Sequence, residues 1–329
     1  MKYHQLGNNN IQVSEMALGC WSFAGDDYWG DQDEQTSIST VHAALAAGIN
    51  FFDTAEGYGE GESERVLGRA LKGRRSEAVV STKVSMQNLK PNDLFAACER
   101  SLSYLQMDYI DLYNIHWPNH DVPLTETVGV LQKLKDQGKV RAIGVSNFAV
   151  QDLTEMVNLC ECVTDQLPFS LLWRVIENEI QPLCLDNNVG IVCYSPLAQG
   201  LLTGRYKNAD EVPEGLAQSR WFSGIRPQSN HDEPGVEAEV FEAVETLRTI
   251  AKEAGMSIAT MSLAWVKAQH GVKSFLVGAR NPKELSLNLS VLETTLSNDF
   301  ISRLTVATET VKKKLGKNPD MWLVPSRMR

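Results

Sequence analysis

The sequence predicts an α/β protein, a (β/α)8 TIM barrel with an N-terminal β-hairpin and additional helices in its C-terminal part. Three observations carry this. Eight short apolar runs of strand character alternate with helix-like stretches, an order that implies parallel strands joined by right-handed crossovers. Asp53, Lys83 and His116 close three successive runs, at intervals of about 30 residues, as an active site at the strand C-termini of such a barrel requires. The chain has 329 residues; because one barrel of this kind absorbs about 250 residues or more, residues 1–329 read as a single domain.

The start, MKYHQLGNNNIQVSE, gives two short runs joined by Gly7, Asn8, Asn9 and Asn10. These residues tolerate positive φ and favour a hairpin, which could plug one end of the barrel. The strand-like runs are Met16–Cys20, Asn50–Thr54, Ala78–Lys83, Ile110–His116, Val140–Ser146, Val163–Leu167, Gly190–Ser195 and Ser274–Val277. Between them apolar residues recur at three- and four-residue spacing: Ile38, Val41 and Leu45, stopped by Gly48; Val66, Leu67, Ala70 and Leu71, stopped by Gly73; then Leu94–Leu105, Val128–Leu134 stopped by Gly138, and Leu153–Leu159. After the seventh run, residues 201–233 carry Gly, Pro, Ser and Asn without a period, a length that marks a functional or disordered loop. Val236–Gly255 reads as an additional helix before the last barrel helix, Ile258–Gln269; Leu296–Lys314 reads as another, and NPDMWLVPSRMR as an irregular tail.

A net charge of −10 and a pI near 5.2 argue against nucleic acid and anionic membrane surfaces, which attract clustered Lys and Arg. The six cysteines, Cys20, Cys98, Cys160, Cys162, Cys184 and Cys193, contain no CxxC pair and read as reduced core residues. The opening residues lack a basic stretch followed by an apolar core, and no segment approaches the roughly 18 apolar residues that cross a bilayer. A cytoplasmic protein is therefore expected, and, with no long amphipathic seam left over, a monomer. His116 and His120 are separated by Pro118 and no HExxH is present, so no metal is expected. The acidic residues Asp26, Asp27, Asp31, Asp33 and Glu34 lack calcium-loop spacing and read as solvated loop. The glycines of Gly57–Gly61 do not follow GxGxxG and read as turn residues.

Adding hydride to a carbonyl leaves negative charge on its oxygen, which needs a proton donor. Tyr58, five positions after Asp53, is the candidate. A free tyrosine has a pKa of about 10, and the Lys83 ammonium is expected to lower it by favouring the phenolate. Asp53 would pair with Lys83 and fix its direction, and His116 would orient the carbonyl or share its proton. Singly, these residues read as a structural ion pair, a packed tyrosine and a satisfied histidine; their joint spacing favours catalysis.

The segments GCWSFAG, FFDTAEGYGEGESE, STK, IDLYNIHWP, GKVRAIGVSNF, YSPLAQGLLTGRY and VGARNPKEL resemble those of the aldo-keto reductases, in order and across nearly the whole chain. They are more similar to the bacterial-type, general stress protein-like branch than to the mammalian aldose reductase branch. The resemblance implies a catalytic tetrad of Asp53, Tyr58, Lys83 and His116, with Tyr58 as general acid, and NADPH/NADP+ as cofactor. Cys20, Trp21 and Asp53 would lie beside that cofactor. Ser146, Asn147 and Gln166 would hydrogen-bond the nicotinamide carboxamide, and Tyr194 would stack on the ring. Ser195, Pro196, Leu197, Ala198, Gln199 and Gly200 would bring backbone to the pyrophosphate. Arg280, after Gly278 and Ala279 and before a helix starting near Pro282, suits the adenosine 2′-phosphate. Glu284, where the family often has Gln, and Asn288 would contact adenine; Arg205 and Arg220 would be further phosphate ligands. Trp21, Tyr58, His116 and Trp117 would line the substrate pocket.

The function implied is reduction of aldehydes and some ketones to alcohols, a small-molecule reaction without nucleic acid or membrane partners. The alternative from the same resemblance is an NADPH-binding, redox-sensing regulatory subunit with little turnover. The residues alone also allow a barrel hydrolase or lyase pairing Asp53 with Glu56 or Glu60.

Overall fold

Eight parallel strands close into a barrel in the computed structural model, which describes residues 1–25 and 29–329. The hairpin is β1 (Tyr3–Gln5) with β2 (Gln12–Ser14). The barrel strands are β3 (Met16–Gly19), β4 (Phe51–Asp53), β5 (Val79–Val84), β6 (Ile110–Ile115), β7 (Val140–Ser146), β8 (Thr164–Pro168), β9 (Gly190–Tyr194) and β10 (Val272–Gly278). They run in chain order around the cylinder, and β10 closes it against β3.

Because side chains alternate along a strand, each strand has an inward and an outward set. The lower inward residues are apolar: Ala17, Phe51, Val79, Leu112, Ala142, Val163, Val192 and Leu276 form one buried cluster with Leu6, Ile11 and Val13. The hairpin residues in that cluster stopper the N-terminal end, as the sequence suggested. Two to four residues further along the same strands the interior turns polar, with Asp53 opposite Ser81, Lys83 opposite Asn114, and Ser146 opposite Gln166. Asn114 in turn pairs with Gly144 of β7. A Cβ on Gly144 would overlap Asn114 Oδ1 and Thr164 Oγ1. Gly144→Ala is therefore expected to lower folding stability by about 1–3 kcal/mol through overpacking, read from the urea midpoint; an unchanged midpoint would show that this layer yields.

The outward sets pack under α1 (Glu34–Ala46), α2 (Glu62–Ala70), α3 (Pro91–Leu105), α4 (Leu124–Asp136), α5 (Val150–Leu159) and α6 (Ile180–Asp186). After β9 come α7 (Glu237–Glu253) and α8 (Ile258–Lys267), and after β10 come α9 (Pro282–Leu289), α10 (Asn298–Ala307) and α11 (Glu309–Leu315). Three details differ from the sequence reading. The α6 helix, seven residues long, is too short to show a period. The helix expected over 296–314 is broken at Thr308, where buried Arg174 donates to Thr305 O (2.7 Å) and Thr308 Oγ1 (3.2 Å). Asp33, exposed as the sequence suggested, is more than loop and caps α1 by accepting from Thr36 N at 2.7 Å; Asp26 and Asp27 lie outside the described residues.

Candidate active site

The polar end of the barrel interior is built around Lys83. Its buried ammonium donates to Asp53 Oδ2 at 2.6 Å, to Thr54 O at 2.7 Å and to the Tyr58 hydroxyl at 3.3 Å. Asp53 Oδ1 accepts from Ser81 Oγ and Gln166 Nε2, both at 2.9 Å, and Ser81 Oγ accepts from Asn114 Nδ2 at 2.9 Å. Each residue projects inward from its strand, so the network follows from the period-two pattern.

Tyr58 sits on the loop after β4. Gly59 lets that loop turn with φ of 57°, and a Cβ there would meet Ala24 Cβ at 2.7 Å. The Tyr58 ring stacks on Trp21, with centroids 5.4 Å apart and planes at 19°, and meets the His116 ring edge-on at 5.7 Å. Trp29 packs edge-on against Trp21. The structure thus brings Asp53, Tyr58, Lys83 and His116 to one place.

Burial governs the proton affinities. It pushes the Tyr58 phenol above its ordinary value, and the opposing pull of Lys83 does not offset it; the lowering expected from the sequence is corrected, because residue types do not reveal desolvation. Burial alone would pull Lys83 down, yet Asp53 and Tyr58 outweigh it and the ammonium is held above the ordinary lysine value. Burial, then Lys83 and Arg327, lower His116 to about 3, so its imidazole is neutral. The phenol is a protonated acid beside a fixed cation.

The residues expected to meet a cofactor are hydrogen-bonded among themselves and to their neighbours. Asn147 Nδ2 donates to His116 O (3.1 Å) and Ser146 Oγ (3.0 Å), while Tyr194 donates from its hydroxyl to Asn147 Oδ1 at 2.8 Å. Ser195, Ala198, Gln199 and Gly200 adopt left-handed backbone, with φ of 50°, 49°, 53° and 94°. Arg280 donates from Nε to Gln32 Oε1 (3.0 Å) and from Nη2 to Asp31 O (2.5 Å). Glu284 accepts the Arg280 amide at 2.9 Å and Asn281 Nδ2 at 3.1 Å, at the start of α9. Asn288 donates to Glu284 O, and exposed Arg205 reaches the Tyr206 hydroxyl at 3.3 Å.

Arg220 is corrected. Its guanidinium is buried and engaged throughout, donating to both Glu233 carboxylate oxygens and to Leu315 O, Asn318 O and Asp320 O. It clamps the 201–233 loop to the C-terminal tail and has no donor left for a phosphate. The paired-carboxylate alternative loses its partner too: Glu56 accepts from Ser85 N, Asn88 and Arg100, and Glu60 is exposed.

Sequence reasoning missed the inner layer of Ser81 and Asn114 and the part played by the tail. Counting alternate residues inward from Asp53 and Lys83 would have found the former. Among the tail residues, Trp322 lies beside the Tyr194 side chain, and the Arg327 guanidinium lies 3.5 Å from the Trp117 ring centroid.

Comparison with known proteins agrees with this geometry. The model of the aldo/keto reductase family matches residues 15–309. The chain is 34% identical to aldo-keto reductase YhdN of Bacillus subtilis over 99% of both chains. It is 36% identical to an NADH-specific methylglyoxal reductase of Escherichia coli, covering 91% of this chain and 95% of that one. The crystal structure of an aldo/keto reductase from Klebsiella pneumoniae in complex with NADP and acetate superposes with a TM-score of 0.73 at 27% identity, over 100% and 99% of the two chains. With the family model spanning most of its length and a whole-chain relative above 30% identity, the chain belongs to the aldo/keto reductase family.

Proposed function

We propose that the protein reduces aldehydes, and some ketones, to alcohols with NADPH, and that Tyr58 is the proton donor. The observation that carries this is the Tyr58 hydroxyl 3.3 Å from the buried Lys83 ammonium, which Asp53 holds at 2.6 Å. In this reading Tyr58 releases its proton to the carbonyl oxygen as a C–H bond forms at the carbonyl carbon, and Lys83 stabilises the phenolate left behind. Neutral His116 directs the carbonyl through a hydrogen bond rather than through charge.

A reduced nicotinamide, when bound, supplies the hydride. The residues present fit such a group. Left-handed backbone at Ser195, Ala198, Gln199 and Gly200 suits the turning of amides toward an anion, and Gln199 Oε1 is buried with no protein partner among the described residues. Gln166, its Nε2 engaged by Asp53, offers Oε1 to a carboxamide beside Ser146 and Asn147. Tyr194 supplies a ring face; Cys20, Trp21, Pro196, Leu197, Gly278 and Ala279 complete the proposed lining.

Arg280 supports NADPH, because a guanidinium suits a 2′-phosphate. A second reading, NADH, is favoured by Glu284, whose carboxylate already occupies the start of α9 and would repel a phosphate there; the relative described as NADH-specific points the same way. The experiment is to mix the protein with a panel of aldehydes and either cofactor and follow loss of the reduced nicotinamide absorbance. NADPH should be preferred, and Arg280→Ala should raise its KM about tenfold or more while barely moving that of NADH. Better turnover with NADH would establish the second reading. Tight binding of either cofactor without turnover would support a regulatory subunit instead.

A further inference from the structure

The loop that carries Tyr58 leads into α2 through three successive residues of left-handed backbone, Gly59, Glu60 and Gly61, with φ of 57°, 51° and 85°, a conformation that glycine permits without favouring. Gly61 stands at the N-cap of α2 and has no side chain to fasten the turn. Ser63, in the first turn of that helix, is fully buried, and its bonds go to three segments that build the site. Its amide donates to Tyr58 O at 3.3 Å. Its hydroxyl donates to Cys20 O at 2.7 Å and lies 2.8 Å from Thr54 Oγ1; a hydroxyl has one proton to give, so Thr54 is the donor in the second bond. Cys20 directly precedes Trp21, whose ring stacks on Tyr58, and the Thr54 carbonyl accepts from the Lys83 ammonium at 2.7 Å. One serine thus joins the backbone of the phenol, the segment bearing the ring stacked on it, and the strand end that helps to hold its cation.

We propose that Ser63 is a positioning residue for the proton transfer, acting through Tyr58, Trp21 and Lys83 rather than on the reacting atoms. The proposal rests on the reductase reading above. Of the three bonds that Lys83 donates, the one to the Tyr58 hydroxyl is the longest, 3.3 Å against 2.6 Å to Asp53 and 2.7 Å to Thr54 O, so it is the first to be lost when the loop shifts. The ring stack does not prevent such a shift: offset stacking tolerates sliding of one face on another, whereas a hydrogen bond weakens steeply with distance and angle. The next residue along, Glu64, anchors the same turn of α2 to the strand of the cation, its Oε1 accepting from Thr82 Oγ1 at 2.5 Å, and Thr82 directly precedes Lys83 in β5. The start of α2 is therefore held in the frame of Lys83, and Ser63 passes that frame to the phenol. Alanine at this position unties Cys20 and Thr54 from each other and keeps only the amide bond to Tyr58 O.

The test is a double-variant cycle, read as kcat on one aldehyde per cofactor-binding site, the sites being counted by fluorescence titration. Ser63→Ala should lower kcat by about 10–10²-fold, the scale on which a displacement of about 1 Å is felt, with cofactor affinity unchanged. Ser63→Cys, close in size and a weaker donor, should fall between wild type and Ser63→Ala, and it carries the same cycle where the alanine chain yields no cofactor-binding protein. In a Tyr58→Phe background, Ser63→Ala should cost no more than about twofold, because the hydroxyl it aligns is gone. Equal losses in the two backgrounds, or no loss per site in the wild-type background, would overturn the proposal and leave the reductase reading standing. Undiminished turnover in Tyr58→Phe alone, or no turnover by wild type with either cofactor, would overturn that reading and the proposal with it.

Discussion

Tyr58→Phe is expected to lower carbonyl turnover by about 10²–10⁴-fold, the usual share of positioned proton transfer, with cofactor binding and folding retained. The substitution removes one hydroxyl. The ring keeps its stack on Trp21 and its edge contact with His116, and Lys83 keeps Asp53 and Thr54 O. Steady-state turnover together with cofactor fluorescence separates the two effects, and undiminished turnover would remove Tyr58 from the chemistry. The pH dependence has a definite sign. Burial raises the phenol above its ordinary value of 10.0, so the acid form persists through neutral pH and reduction should decline only in the alkaline range beyond that value. His116, lowered to about 3, should contribute no loss in mild acid.

Lys83→Met is expected to abolish turnover and to cost about 3–5 kcal/mol of folding stability, because it leaves a buried carboxylate without its counter-ion. Asp53 would retain the Ser81 and Gln166 donors, which spares part of the penalty. A double variant, Asp53→Leu with Lys83→Met, should recover much of the loss, since an apolar pair of similar size often replaces a buried ion pair at little cost. The Lys83 value is raised in the folded chain above 10.5. The contribution linked to that shift is therefore fully present below the unfolded value and is lost as pH rises through the folded one. Urea midpoints of wild type and variant should differ by a constant amount across neutral pH and converge only in strong alkali. A single-variant loss below about 1 kcal/mol, the range of an exposed pair, would mean that water reaches Asp53.

The barrel was legible because its signal is local. Parallel strands covered on both faces read as short apolar runs, and each observed strand lies within two residues of its expected limits, as with Val140–Ser146. Asp53, Lys83 and His116 were legible because a charged or polar residue at the end of an apolar strand has few reasons to be there. The tail was not. Its path depends on Arg220 turning inward to gather three carbonyls from residues 315–320, and a loop rich in Gly, Pro and Ser carries no periodicity to say which way an arginine points. The direction of the Tyr58 shift was missed for a related reason: the nearness of Lys83 follows from spacing, whereas the desolvation that outweighs it depends on Trp21 and His116 closing round the ring.

The barrel interior is oily below and ionic above, and both strata hang on the same strands. Slipping β5 by a single position would swing Lys83 out toward the helices and Thr82 in toward Asp53, while Val79 would leave the plugged floor. Such a frame error empties the reaction chamber and unseats the foundation together. Length changes in this molecule are therefore confined to the connections, and the strands admit exchange of side chains but not of count.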